Sequence, residues 1–444
     1  MAGFITVPDA SHYWLLNGRV PLSLLGEHVT LEPMPSLQMF PHQEELVAVD
    51  VEVRGDAIAH ITPAGQTDPG NVPTANLAQG LIWPCFVDMH THLDKGHICP
   101  RSPNPDGTFT SALETVRQDH DRWRHDELYH RMEFGLKCSY AHGTQAIRTH
   151  LDSFGPLGKM SFQVFDNLRR QWRDRLTLQA VCLVSLDYFL TPEAEPLAQL
   201  VAEFDGVLGG VAYMNKDLVP QLDRAFTLAQ RYGLDLDFHT DESLDPGDIT
   251  LRYVAEAALR HDFNGAITCG HCCSLSVQTP DVVEKTLKLV NAANIGVVSL
   301  PMCNLYLQDR QPEHTPRYRG VTILHELHQQ DIPVALASDN CRDPFYAYGD
   351  HDGLDVFKQS VRIGHLDRPF SHWPQSLTSR PAQLMGLENC GLLAPDTPAN
   401  MICFKARSLN ELMARAQGDR VVLRQGRQIE TTLPEYSELD CWVQ

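Results

Sequence analysis

The stretch LIWPCFVDMHTH, residues 81–92, joins a largely apolar run to two histidines that are separated by one residue. A short apolar run of this kind is typical of a strand that is buried on both faces. Alternate residues of an extended chain point to the same side, so His90 and His92 can both face the space beyond the end of the strand. Because the chain holds 21 histidines, about one such pair is expected by chance, and the pair needs support from its surroundings.

Downstream of His92, strand-like and helix-like segments alternate, which argues for βα units and a parallel sheet. Including the opening run, the candidate strands are Leu81–Met89, Thr144–Thr149, Leu176–Val184, Gly206–Tyr213, Leu234–Phe238, Ala266–Cys269, Ile295–Leu300 and Ile332–Ala337. Eight such repeats predict an α/β fold of the (β/α)8 TIM-barrel class, in which the chemistry lies at the carboxyl ends of the strands.

Short strand-like segments interrupted by Gly and Pro occur at both ends of the chain. Examples are Leu46–Val53 near the start and Arg420–Leu423 near the end. Segments of this kind from opposite ends of a chain can pair into one small β domain. We therefore expect residues 1–80 and 394–444 to form that domain, and residues 81–393 to form the barrel.

The composition argues against several classes of function. With 36 basic against 56 acidic residues the net charge is −20, which repels nucleic acid and anionic lipid. The sequence has no run of 18 apolar residues, and its first residues lack the basic and apolar regions of an export signal. We expect a cytoplasmic protein with reduced cysteines that takes a small-molecule substrate and binds neither nucleic acid nor membrane.

Three further residues of the metal-ligand type fall at the ends of other predicted strands. His239 ends the fifth strand, His271 follows the sixth, and Asp339 ends the eighth. Each histidine taken alone is more simply a packed or capping residue. Together with His90 and His92, they form a set of nitrogen and oxygen ligands that suits Zn²⁺ or Fe²⁺ better than Mg²⁺ or Ca²⁺. The set therefore predicts a divalent metal site.

Glu242 lies three residues beyond His239, in the segment His-Thr-Asp-Glu. A carboxyl in that place can reach a water beside the ion without binding the ion, which suits a general acid or base. Without the predicted metal, Glu242 would be interpreted as an exposed loop carboxylate. Asp339 then has two tasks, as a weak ligand and as the acceptor of a proton from the water. A divalent ion lowers the pKa of water toward about 7, which supplies hydroxide for attack on an electrophilic carbon.

These motifs resemble those of the amidohydrolase superfamily and, within it, the bacterial cytosine deaminase group. The segments that carry the resemblance are CFVDMHTHLD (85–94), RTH (148–150), HTDE (239–242), GH (270–271) and SDN (338–340). The resemblance implies a TIM barrel with a small β-sandwich domain, a homo-oligomer and a single metal ion. The roles that it implies are His90, His92, His239 and Asp339 as metal ligands, Glu242 as the proton shuttle, and His271 in contact with the attacking water or the metal.

The sequence departs from the cytosine deaminase pattern at the predicted substrate contacts. Ser185 stands where those relatives carry a Gln that reads the pyrimidine amide edge, and Phe345 stands where they carry a Trp. A hydroxyl cannot offer the paired donor and acceptor of a carboxamide, whereas Phe keeps a stacking face and loses the indole N–H. Lys95 and Arg342 can add positive charge nearby or serve as salt-bridge partners. The residues that we expect to contact the substrate are Ser185, Asn340, Phe345, Phe109 and His150.

The sequence thus predicts a metal-dependent hydrolytic deaminase that releases ammonia from an amino-substituted nitrogen heterocycle of the cytosine, isocytosine, pterin, creatinine or triazine type. One alternative is a cyclic amidase with two metal ions bridged by a carboxylated lysine, for which Lys216 is the candidate. A second is an amidohydrolase that removes an N-alkylamine from a triazine. A third, a binding protein without catalysis, fits poorly with a complete ligand set.

Overall fold

Three β-sheets organise the structure, a computed structural model that describes residues 4–27, 29, 31 and 45–443. The strands in this part of the chain are β1 (His12–Pro21), β2 (Leu46–Arg54), β3 (Ala57–Pro63), β4 (Thr74–Asn76), β5 (Leu81–Pro84), β6 (Phe86–Thr91), β7 (Thr144–Asp152), β8 (Thr177–Leu183), β9 (Leu208–Val211), β10 (Leu236–Thr240), β11 (Ile267–His271), β12 (Ile295–Ser299), β13 (Val334–Leu336), β14 (Met401–Phe404), β15 (Val421–Arg424) and β16 (Arg427–Gln428). The helices of the same residues are α1 (Phe109–Asp119), α2 (His125–Ala141), α3 (Pro156–Trp172), α4 (Ala194–Glu203), α5 (Leu218–Tyr232), α6 (Thr250–Arg260), α7 (Pro280–Ala292), α8 (Pro301–Leu307), α9 (Leu324–Gln329), α10 (Gly353–Gly364), α11 (Ser379–Leu384) and α12 (Leu409–Ala414). None of the described helices is long and apolar enough to cross a membrane.

One unit of the chain is built on strands from both of its ends. It comprises Met1–Val87, Lys137–Ala146 and Asp352–Pro434. Its eight-stranded sheet has the order β16-β15-β14-β5-β1-β2-β3, with β4 paired to β1. β14 pairs antiparallel with β5, which joins C-terminal to N-terminal strands. β2 is rich in valine and each of its valines is buried, as expected for branched residues that pack on one face of a pleated sheet.

The second unit contains a parallel sheet with helices between its strands. It comprises Asp88–Leu136, Ile147–His351 and Glu435–Gln444. The sheet has the order β13-β12-β11-β10-β9, and every neighbouring pair is parallel. Its strands are short and buried on both faces, as in β12 (IGVVS), which is typical of parallel sheets covered by helices. The predicted α/β class with parallel sheets is therefore confirmed.

The strand predicted over residues 81–89 is two strands in the structure, and that prediction is wrong in this respect. β5 pairs with β14 in the eight-stranded sheet, whereas β6 belongs to the three-stranded sheet β6-β7-β8. Pro84 ends β5. Because proline has no N–H to donate, it fits the point at which the chain leaves one sheet for another. The apolar run hides this break since both halves are completely buried.

The carboxyl ends of the parallel strands position the candidate site. Isolated parallel bridges link Ser185, just beyond β8, to Val211 of β9, and Thr91 of β6 to Asp339, just beyond β13. The N–H of His92 donates to the carbonyl of Asp339 at 3.2 Å. Because parallel strands end at a common edge, the side chains that follow them converge there.

Candidate active site

Four imidazoles are packed together at the carboxyl ends of β6, β10 and β11. The four are His90 on β6, His92 directly after it, His239 on β10 and His271 at the end of β11. All of them are almost completely buried, with at most 4% of each residue exposed. The Nε2 atoms of His92 and His239 are 3.4 Å apart, and the rings of His90 and His239 have centroids 4.6 Å apart. The parallel strands thus bring together histidines that are distant in sequence.

The carboxylate of Asp339 completes this cluster from the segment after β13. Its Oδ1 lies 3.3 Å from Nε2 of His92 and 3.6 Å from Nε2 of His90. Two ligand atoms that each lie about 2.1 Å from a tetrahedral ion are about 3.4 Å apart, which matches this spacing. Among the described residues, neither ring nitrogen of His90 has a hydrogen-bond partner. A buried polar atom without a hydrogen bond destabilises the folded protein, and coordination to a metal ion would remove that cost. The donor set therefore fits a divalent ion held by nitrogen and oxygen.

The position of His90 depends on its close neighbours. A Cβ at Gly270 would lie 2.7 Å from Cε1 of His90, so glycine alone leaves room for the ring. The ring of His150 packs against that of His90 with centroids 4.0 Å apart, and its Nε2 lies 3.3 Å from Oδ1 of Asp237. Arg148 donates to Oδ2 of the same Asp237 at 3.1 Å. The buried carboxylate therefore orients His150 against the imidazole cluster.

Glu242 stands beside the cluster, and its side chain is largely shielded from solvent. Its Oε1 is 3.3 Å from Nδ1 of His271, which is also 2.9 Å from the side-chain nitrogen of Asn304. Burial, together with the negative charges of Asp339 and Asp248, raises the pKa of Glu242 well above its usual range. Burial lowers the pKa of His271 to about 3. A carboxyl with a raised pKa beside a neutral imidazole is suited to general acid catalysis.

A cavity opens beside these groups. The candidate catalytic and metal-binding residues in its lining are His92, His239, Glu242, His271 and Asp339. A further part of the lining comes from α1, through Phe109, Leu113, Val116 and Arg117. The cavity thus combines a reactive polar group of residues with apolar surface that can hold a ring.

Four of the five residues predicted to contact the substrate line this cavity, namely Ser185, Asn340, Phe345 and Phe109. The rings of Phe109 and Phe345 meet edge to face, with centroids 5.6 Å apart. The fifth residue, His150, is fully buried against His90 and is not among the described lining residues. The structure therefore brings four of these side chains together and leaves His150 behind the imidazole cluster.

The two polar residues of this group are already hydrogen-bonded to carboxylates. The hydroxyl of Ser185 donates to Oδ1 of Asp187. The amide nitrogen of Asn340 donates to Oδ2 of Asp343 at 2.7 Å. Because the hydrogen of its hydroxyl is committed to Asp187, Ser185 offers the cavity an acceptor.

The three basic residues considered from the sequence have different surroundings. Lys95 lines the cavity, but its ammonium lies 2.9 Å from Oδ1 of Asp152, so much of its charge is compensated. Arg342 is not among the described lining residues, and its guanidinium lies 4.2 Å from the ring centre of Tyr436. Lys216 is exposed in the loop after β9. An exposed position does not suit a carbamate that bridges two buried ions.

Several residues that line the cavity carry no recognisable motif in the sequence. Among them are Arg117, His120, Asp152 and Tyr213. Nε2 of His120 lies 2.9 Å from Oδ2 of Asp152. The lining residues of α1 follow Phe109 at a spacing of four, seven and eight positions, which is the spacing of one helix face. That periodicity is the signal in the sequence that points to this wall.

Comparison with known proteins gives three concordant similarities. The chain is 46% identical over 440 residues to the pterin deaminase of Rhizobium rhizogenes strain K84, covering 98% of both chains. It is 24% identical over 351 residues to the N-isopropylammelide isopropyl amidohydrolase of Pseudomonas sp. strain ADP, covering 76% of this chain and 83% of that protein. The crystal structure of 5-methylcytosine deaminase from Klebsiella pneumoniae with 5-fluorocytosine has a TM-score of 0.79 at 23% identity, covering 95% of this chain and 98% of the other.

The structural similarity shows that the chain has the α/β fold of the 5-methylcytosine deaminase. The sequence model of the amidohydrolase family matches residues 173–429, which is more than half of the chain. Together with the pterin deaminase, which aligns over nearly the whole length, this match shows that the chain belongs to the amidohydrolase family.

Proposed function

We propose that this protein is a metal-dependent hydrolytic deaminase whose substrate is a pterin. The observation that carries the proposal is the 46% identity to a pterin deaminase over 98% of both chains. In the reaction, water adds to the carbon that bears the exocyclic amino group, the bond to that nitrogen breaks, and ammonia leaves. The ring gains a carbonyl at that carbon, with the oxygen supplied by water.

The cavity supports a bicyclic substrate. The edge-to-face pair of Phe109 and Phe345 gives it an aromatic wall against which a flat heterocycle can stack. Ser185 is smaller than the glutamine of the cytosine deaminase pattern, so the space at the end of β8 is wider.

The donor set supports one divalent ion, Zn²⁺ or Fe²⁺, held by His90, His92, His239 and Asp339. Such an ion, when bound, supplies a Lewis acid that makes water nucleophilic at neutral pH. The distances of 3.3 to 3.6 Å among Asp339, His92, His90 and His239 support this ligand set. The exposed position of Lys216 favours a single ion over a pair.

Glu242 supplies the proton transfers in this proposal. Burial beside other carboxylates raises the pKa of its carboxyl, which favours the protonated form that can donate to a ring nitrogen of the substrate. The resulting carboxylate can take a proton back from water and pass it to the departing amine. His271, within 3.3 Å of Glu242 and linked to Asn304, holds this carboxyl in position.

We also infer that β6 to β13 close into a (β/α)8 barrel. The support for closure is the pair of parallel bridges Ser185–Val211 and Thr91–Asp339, which join the edges of the two parallel sheets. The small β domain would then be built on the eight-stranded sheet that contains strands from both chain ends.

A panel of aminated heterocycles tests the proposed substrate. We expect pterin to release ammonia with a kcat/KM at least about tenfold above those of cytosine and creatinine. A difference of this size corresponds to one well-paired polar group that the smaller rings leave unpaired. Ammonia is measured by a coupled assay and ring conversion by ultraviolet absorbance. The control is N-isopropylammelide, from which isopropylamine would leave. Release of isopropylamine without any ammonia from pterin would favour the N-alkyl-triazine alternative.

Replacement of Ser185 by Gln should shift the preference of the enzyme toward cytosine. The larger carboxamide narrows the space at the end of β8 and offers the paired donor and acceptor that a pyrimidine edge can use. A bound substrate that leaves a buried polar group unpaired binds more weakly by roughly 1–3 kcal/mol. We expect the ratio of kcat/KM for cytosine to kcat/KM for pterin to change by an amount of this size. Thr191→Gln, at an exposed position further along the same turn, is the matched control. An unchanged ratio would remove Ser185 from the substrate pocket.

A further inference from the structure

A second group of buried metal-ligand side chains lies outside the cavity. It consists of His97, Cys341 and His351, whose ligand atoms all lie within 4.8 Å of one another. The three residues are 1%, 2% and 3% exposed, respectively. None of them is among the described residues that line the cavity, and no sequence motif of the resemblance includes His97 or His351. The proposed deamination gives this group no task.

The backbone that carries this cluster is well fixed. His97 follows β6 and Cys341 follows β13, and the N–H of His97 donates to the carbonyl of Cys341 at 3.1 Å. The next pair along these segments is Cys99 N–H to the carbonyl of Arg342 at 3.0 Å. His97 and His351 have φ angles of +66° and +53°, in the left-handed region that residues other than glycine rarely adopt. Packed surroundings hold such conformations in place.

The ring nitrogens of His97 are buried without hydrogen bonds to the described residues, and coordination to a metal ion would give one of them a partner. Among the described residues, neither of its ring nitrogens has a hydrogen-bond partner, although the residue is buried. Its ring packs edge to face on Phe134, with centroids 4.8 Å apart, which fixes the plane of the imidazole.

Gly135 packs close to the imidazole of His351. A Cβ at Gly135 would lie 3.1 Å from Nε2 of His351 and 2.8 Å from a methyl carbon of Leu93, so a larger residue would crowd that nitrogen. The rings of His97 and His351 have centroids 5.9 Å apart, which leaves both able to reach one ion from different sides. Imidazole nitrogen and thiolate sulfur are both zinc ligands, and these three residues would supply three of the four positions of a tetrahedral site.

We propose that His97, Cys341 and His351 form a structural Zn²⁺ site that is separate from the catalytic one. The ion would tie the segment after β6 to the segment after β13. These segments also carry His92 and Asp339, so the structural ion would hold the spacing of two proposed catalytic ligands. The proposal does not depend on the substrate of the enzyme.

The test is made on the full-length protein reconstituted with Co²⁺ in place of its native metal. We expect two Co²⁺ ions per chain and an intense near-ultraviolet absorption from thiolate-to-cobalt charge transfer, because the proposed catalytic ligands include no sulfur. Cys341→Ser should lose one ion and this absorption, and His239→Ala should lose the other ion and keep the absorption. Cys403→Ser, a buried thiol on β14 in the other unit, should change neither.

Two outcomes would overturn the proposal. One is a wild-type protein that binds a single Co²⁺ ion without the sulfur absorption, whatever its activity. The other is a Cys341→Ser protein that keeps two ions and the same spectrum. Should Cys341→Ser fail to fold, His97→Gln removes a different ligand and leaves the thiol, and it should also bind one ion fewer than the wild type.

Discussion

Replacement of His239 by Ala should remove most of the catalytic metal and abolish hydrolysis. His239 is buried on β10, and its Nε2 lies 3.4 Å from that of His92, so alanine deletes one donor from the middle of the proposed set. Loss of a group that only orients a ligand already weakens metal binding by about 10- to 100-fold, and loss of the ligand itself should exceed that. Elemental analysis of the purified protein measures the metal, and ammonia release measures the activity.

The control for this variant is His314→Ala, at an exposed histidine whose Nδ1 lies 2.9 Å from the carbonyl oxygen of Pro312 in its own loop. It should retain wild-type metal content and activity. If the His239→Ala protein contains as much catalytic metal as the wild type, His239 is not a ligand, and the donor set must be sought among His90, His271 and His150.

Replacement of Glu242 by Gln should leave the metal bound and lower kcat by about 10²–10⁴, the range attributed to general acid–base catalysis. Glutamine has nearly the same shape as glutamic acid, but its amide has no proton to transfer at neutral pH. Metal content by elemental analysis and kcat on the best substrate of the panel together separate a chemical defect from a binding defect.

Glu284→Gln is the matched control for Glu242, because it makes the same substitution at an exposed carboxylate on α7 that pairs with Lys288. It should be indistinguishable from the wild type. An activity of the Glu242→Gln protein within a few-fold of the wild type would assign the proton transfers to another group, with Asp339 the nearest carboxyl that lines the cavity.

The proposed metal ligands could be predicted from the sequence because each lies at the end of a short apolar strand. Such a strand and the residue that follows it can be recognised within about ten neighbouring residues. His90, His239 and Asp339 are far apart in the chain, yet parallel strands end at one edge, which is a general property of this class of fold. The break at Pro84 could not be predicted in the same way. Both β5 and β6 are buried throughout, and only pairing with distant strands separates them.

The residues of the cavity wall could be predicted only in part. Whether a residue lines the cavity depends on how near it lies to the carboxyl end of its strand, or on whether it lies on the helix face that points to the cavity. His150 and Asp152 point to the same side of β7, but only Asp152, two residues nearer the carboxyl end, lines the cavity. The sequence shows that both side chains lie on the same side of the strand, but it does not show which of them is close enough to the carboxyl end to reach the cavity. Arg117 is likewise placed by the packing of α1 rather than by any motif.

Helix α1 contributes Phe109, Leu113, Val116 and Arg117 to the cavity wall, and none of the proposed metal donors. The ion and the choice of ring are therefore encoded in different stretches of the gene. Mutations on that helix face can alter which heterocycle is accepted while the residues that retain the metal stay intact. If the protein has the proposed function, a lineage can acquire a new substrate through intermediates that all remain active hydrolases.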